Sequence, residues 1–203
     1  MSITLLIVGI SVVVSFMALQ NKSLFYRYEL NPYVVVHNKQ WYRLITHAAI
    51  HADWMHLFVN MFVLWSFGKS VESYFMQLFG AKGALYFVLL YIGGVIFAAL
   101  PGVRKHQNNP SYNAVGASGA VAAVLFASIL FNPMSKIYIM FIPIGIPAIL
   151  FGVLYVGYEV YASKNSNDNI AHDAHYWGAL FGLVFTIALE PSLITHVLNK
   201  IFG

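Results

Sequence analysis

Six stretches of this chain, each long enough to cross a bilayer, run almost free of charge, and nothing else in the sequence constrains the fold as tightly. A helix needs about 20 mostly apolar residues to span the hydrocarbon. Bounded by charges and Pro/Gly clusters, the stretches are expected as helices over Ile3–Leu19, Trp54–Tyr74, Lys82–Leu100, Asn113–Phe131, Lys136–Tyr161 and His172–Glu190. Only 9% of the 203 residues are charged and 60% are hydrophobic, whereas a soluble domain usually carries about 25% charged residues. The chain therefore reads as an all-α integral membrane protein with six candidate transmembrane helices in one domain over residues 1–203.

Composition removes several function classes. Without cysteine there is no disulfide, thiol nucleophile or thiolate metal site. The net charge of +4 is scattered over loops, so no nucleic-acid partner is expected. The opening "MSITLLIVGISVVVSFMAL" lacks a basic leader and a small-residue cleavage site, and is expected as a retained span. The segment "QNKSLFYRYELNPYVVVHNKQWYRLITHAAIHAD" is too long for a hairpin and too apolar for disorder. It is expected as a structured first loop at the interface, with Trp41, Tyr42 and Arg43 at headgroup level. Pro143 and Pro147 are expected to bend the fifth helix. Lys69, Lys82, Lys136 and Lys200 lie on the N-terminal side of the bundle, against Lys22, Arg27, Lys39, Arg43, Arg104, Lys105 and Lys164 opposite. Charge alone would put the N-terminus outside.

Ionisable groups inside spans are costly and each marks a functional hypothesis. His51, His56 and Asn60 fall early in the second helix, Ser118 in the first half of the fourth, and His175 at the start of the sixth. Even-numbered helices run in one direction, so these residues share one side of the membrane. His56 and Asn60, at i and i+4, stack on one face and offer two donors to a developing oxyanion. Ser118, boxed between Gly116 and Gly119, needs a base to become a nucleophile. His175 is that base if the Gly178-x-x-x-Gly182 face meets the small residues Gly116, Ala120, Ala122 and Ala123 of the fourth helix.

Other readings use the same residues. Serine is common in tight membrane-helix packing. His47, His51, His56, His172 and His175 could ligate a metal or a bis-histidine haem, and "HDAH" has ligand-like spacing, although no HExxH occurs. Neither metal reading explains a serine between glycines opposite a histidine, so no metal and no cofactor is expected. Glu72 and Glu159, near span ends, are expected solvated or locally paired. Asp173 is expected to point away from His175 as a loop charge.

The segments "WYRLITHAAIHADWMHLFVNMFVLWSFGKSVE", "GASG" and "AHYWGALFG" resemble, in order and spacing, the signatures of rhomboid intramembrane serine proteases. The motifs are Trp41-x-Arg43, His51-x4-His56-x3-Asn60, Gly116-x-Ser118-Gly119 and Ala174-His175-x2-Gly178-x3-Gly182, and the similarity runs from about Trp41 to Phe185. The resemblance implies a six-helix bundle with a cytoplasmic N-terminus, against the charge count. It implies a Ser118–His175 dyad without a carboxylate, cutting transmembrane protein substrates near the outer face. The oxyanion hole would be the Ser118 backbone N–H, His56 and Asn60. His51 would support the water-accessible cavity, Trp41 and Arg43 the first loop, and the last loop and bent fifth helix a cap and gate. Many members carry an aromatic four residues after the serine; here it is Ala122, so a neighbouring Tyr or Phe is expected against His175. Substrates and membrane lipids are the expected partners, and a bacterial plasma (inner) membrane the expected location. A catalytically inactive rhomboid-like protein that captures membrane clients is the alternative.

Overall fold

A computed structural model describes residues 2–138, 143–166, 168 and 170–203 as a predominantly helical chain. Helix α1 (Ile3–Gln20) leads into a first loop of α2 (Lys22–Tyr28), α3 (Pro32–His37), α4 (Arg43–Thr46) and a 3-10 turn at His47–Ala49. Then come α5 (Trp54–Phe79), α6 (Lys82–His106) and α7 (Ser118–Phe131). Strands β1 (Lys136–Tyr138) and β2 (Gly145–Pro147) pair antiparallel before α8 (Ala148–Asn165), α9 (His172–Leu189) and α10 (Ser192–Phe202).

By length and hydropathy α1 and α6 are able to cross a membrane, and α9 with α10 forms a third candidate bent by 109°. The other long helices fall below that mark because of the polar residues they carry: His56, Asn60 and Lys69 on α5, Glu159 and Lys164 on α8. Helix α7 is apolar but has only 14 residues. It is apolar all round, as a central helix should be, and nearly every residue from Gly119 to Phe131 is buried among α5, α6 and α9. Close approach comes from small residues. A Cβ on Gly178 or Gly182 of α9 would overlap the backbone of Gly119 or Ala123, and one on Gly94 of α6 would lie 2.9 Å from the Ala123 side chain. The expected contact between the fourth and sixth predicted helices is therefore present as α7 on α9.

Helix α1 is tied to α5 at its first turn. Glu72 accepts from the Ile3 N–H (2.8 Å), the Thr4 N–H (3.1 Å) and the Ser2 and Thr4 hydroxyls (2.7 and 2.8 Å). A carboxylate there satisfies amides that no helical carbonyl can reach and opposes the positive end of the helix dipole.

Several expected boundaries are corrected. Helix α6 continues through Pro101 to His106, a position that membrane helices tolerate. Helix α7 begins at Ser118 rather than Asn113, because the preceding residues are held extended, with Ala114 bridged to Leu30. The expected fifth helix is not one bent helix from Lys136. Its first part includes two short strands, and α8 starts only after Pro147, whose backbone is extended at ψ 134. Prolines push the residue before them out of the helical region; residues 139–142 of that expectation lie outside the described residues. Helix α10 was not expected. Its apolar and polar residues alternate by face, so no uniformly apolar window announced it. Leu193 is buried, and the His196 ring reaches the Phe131 carbonyl at 3.0 Å.

Candidate active site

Ser118 is the first residue of α7, and the turn that delivers it is held from outside the helix. Leu30 and Ala114 exchange backbone hydrogen bonds of 2.9 Å each way. The Gly116 N–H donates to the His47 carbonyl at 2.9 Å, and the Ala117 N–H donates to His51 Nε2 at 3.4 Å. Gly116 itself sits at φ +110, where L side chains are strained. A Cβ there would lie 2.6 Å from the His56 ring.

The first loop supplies most of these anchors. His51 is fully buried. The Ser15 hydroxyl donates to the Ala49 carbonyl at 3.0 Å, which leaves its oxygen to accept the His51 Nδ1–H at 2.9 Å. His51 Nε2 is then the acceptor that Ala117 requires, so the ring must be neutral. Burial pushes its pKa down to about 3, with neighbouring His56 adding to the shift and Asp53 opposing it. Burial likewise brings His47 down to about 4, against the pull of its Nδ1–H bond to the Arg43 carbonyl at 2.9 Å. Arg43, expected at headgroup level, is folded into the protein. It is buried, donating to the Tyr26 and Glu29 carbonyls (2.8 and 2.7 Å) and to Gln40 (2.8 Å), because a guanidinium can satisfy several loop carbonyls at once. Trp41 stays 54% exposed on the loop surface.

His175 lies in the first turn of α9, with Nε2 2.8 Å from Ser118 Oγ. Gly119 allows the approach: a Cβ on it would strike Ala98 and lie 3.2 Å from the Ala174 carbonyl. His56 packs edge-on against His51, ring centroids 5.1 Å apart. Asn60 is buried one turn further on and gives one N–H to the His56 carbonyl at 2.9 Å, leaving its second for another acceptor. Asp173 accepts the Ala174 N–H at 3.0 Å and makes no hydrogen bond to His175 among the described residues.

The residue that sequence reasoning missed is Glu159 of α8. It is buried, and its two oxygens lie 3.0 Å from His175 Nδ1 and 2.6 Å from His172 Nδ1. The partner at the His175 ring is thus a carboxylate, not the expected Tyr or Phe. Ala122 instead helps bury an apolar cluster with Ala148, Ile129 and Ala179. Glu159, His172 and His175 place ligand-type atoms within 4.8 Å of one another and are chemically able to hold a cation. His47, His51 and His56, the other imidazoles considered as ligands, are outside that group.

The molecule is thus a helical membrane protein whose central helix starts with a serine in contact with a histidine. Residues 38–192 match the rhomboid domain, and the chain belongs to the rhomboid family. It is 33% identical to RHOMBOID-like protein 12, mitochondrial, of Arabidopsis thaliana, over 67% of this chain and 43% of that protein. It is 30% identical to presenilin-associated rhomboid-like protein A, mitochondrial, of Danio rerio, over 66% of this chain and 33% of that one. It is 28% identical to rhomboid protease GluP of Bacillus subtilis, over 74% of this chain and 26% of that one. The chain spans less than half the length of these relatives. Two of them are named mitochondrial and one comes from a bacterium, so the expectation of a bacterial plasma membrane gains no support from them.

Proposed function

We propose that this protein is an intramembrane serine endopeptidase that cleaves transmembrane segments of other membrane proteins. The observation that carries the reading is the 2.8 Å contact between Ser118 Oγ and His175 Nε2 at a helix start. In this mechanism His175 takes the Ser118 proton as Oγ attacks the scissile carbonyl, then delivers it to the leaving amine. Ser118 begins α7 after Ala117, which has no capping side chain. The first amides of the helix therefore point their N–H groups at the space beside Oγ, where the dipole also favours negative charge. With His56 and Asn60 they form the oxyanion site, each donor contributing about 10²–10³ in rate. His51, Gly116, Gly119, Gly178 and Gly182 support this geometry by the contacts described above, and Trp41 and Arg43 belong to the loop that anchors it. The reading extends to six membrane crossings, a cytoplasmic N-terminus and cleavage near the outer face, as the rhomboid resemblance implies, and, from length and composition, to a single unit over 1–203.

The test is labelling by a fluorophosphonate probe, with cleavage of a reconstituted transmembrane substrate, for wild type, Ser118→Ala and His175→Ala. Labelling and cleavage are expected in wild type alone. Cleavage undiminished in Ser118→Ala sinks the proposal, and folded wild type that neither labels nor cleaves points to client capture without catalysis.

A further inference from the structure

We infer that Glu159 is a positioning residue for His175, fixing its tautomer and orientation, so that the reacting pair Ser118 and His175 is held from behind by a carboxylate. The inference rests on the proposed protease reading and deepens it. For His175 Nε2 to accept the serine proton, the ring's other proton must sit on Nδ1. That N–H needs an acceptor, and among the described residues the one within hydrogen-bond distance is Glu159 Oε1, at 3.0 Å. An unpartnered N–H in this buried site would leave the ring free to turn or to switch tautomer.

The carboxylate is itself held. Its second oxygen takes the His172 Nδ1–H at 2.6 Å, and His172 Nε2 reaches Asp168 of the preceding loop at 3.1 Å. A group fixed on both oxygens cannot swing away when His175 becomes cationic. As Oγ bonds to the carbonyl carbon, its proton passes to Nε2, and the positive charge on the ring lies beside an anion already in place. Glu159 keeps its charge throughout; the proton on Nε2 goes to the departing amine. His172 and Asp168 act one step further out, as supports of the carboxylate.

The experiment compares wild type, Glu159→Gln and His172→Ala in detergent, with Ser118→Ala as the inactive reference. Glu159→Gln is expected to lower kcat by about 10²–10⁴ with KM little changed, the range for losing an oriented general base. His172→Ala is expected to fall between it and wild type. A second readout does not depend on catalysis. In protein labelled with ¹⁵N-histidine, a strongly deshielded Nδ1 proton is expected in wild type, lost in His175→Ala and shifted upfield in Glu159→Gln. Activity is expected to survive chelator treatment, since a carboxylate that orients His175 needs no cation. Three results would overturn the inference: kcat within about twofold of wild type in Glu159→Gln, no such proton in folded wild type, or activity lost to chelator and restored by Zn²⁺. If Glu159→Gln does not fold, the proton spectra of the other variants decide: because His172 Nδ1–H bonds the same carboxylate at 2.6 Å, the signal counts for His175 only if it persists in His172→Ala and is lost in His175→Ala. Wild type that neither cleaves nor labels defeats the protease reading instead, while the spectrum still reports whether Glu159 holds His175.

Discussion

Gly116 has two separate reasons to be glycine. Its φ of +110 strains any other residue, and the His56 ring occupies the place of a side chain. Gly116→Ala is expected to cost about 1–3 kcal/mol from the backbone alone and to push His56 out of the proposed oxyanion site. A lower thermal midpoint together with slower fluorophosphonate labelling checks this; an unchanged labelling rate would detach His56 from that site. At this scale the approach of Ser118 to His175 and of Gly116 to His56 was legible from the shared depth of these polar residues on helices of one direction, whereas the glycine-flanked serine taken alone reads equally as helix packing. Glu159 was not legible, and the cause is a boundary. An expected helix over Lys136–Tyr161 puts Glu159 in its last turn, where a carboxylate is normally solvated. The observed helix, Ala148–Asn165, puts it inside, where an ionisable group is a functional hypothesis. The partners of Arg43 were hidden for a related reason: sequence shows an aromatic-rich flank but not the loop carbonyls that fold around the guanidinium.

Helix α9 reaches α7 only because Gly178 and Gly182 present no side chain to its backbone. Gly178→Val is expected to force the helices apart, costing about 1–3 kcal/mol by overpacking and breaking the Ser118–His175 contact. The control is Gly157→Ala on α8, where nothing lies within 4 Å of the added carbon. Thermal melting and probe labelling should fall for the first and hold for the second; equal behaviour would mean that the α7–α9 approach does not govern the site. The existence of the long helices was readable from apolar runs, as was the small-residue contact. Their ends were not, because Pro101 sits inside a helix, Pro143 and Pro147 precede one, and the Leu30–Ala114 bridge holds residues that would otherwise extend α7. Each depends on what the segment packs against.

Over the whole molecule, the first loop acts as the clamp of the serine turn, since Leu30, His47 and His51 each hold one residue of the run before Ser118. That a folded insertion occupies this stretch was legible in its composition. Its task was not, because the partners are 66 residues apart for His51 and Ala117 and 36 for Ser15 and His51. The clamp carries a pH signature. His47 and His51 stay neutral in the fold down to about 4 and about 3, while unfolded chain takes up those protons near pH 6.5. Above about pH 6.5 neither state binds the proton and stability is unaffected. As pH falls below that value the unfolded state gains protons that the fold refuses, so stability drops, by up to about 1.4 kcal/mol per unit for each histidine. Glu29, raised by burial against the pull of Arg43, opposes this in the carboxylate range and should blunt the decline near its end. The thermal midpoint in detergent is therefore expected to decline from about pH 6.5 toward pH 4. His47→Asn, whose amide N–H replaces the donor to the Arg43 carbonyl without titrating, should decline less steeply. A slope the same in the variant as in wild type would mean that the acid sensitivity lies outside His47.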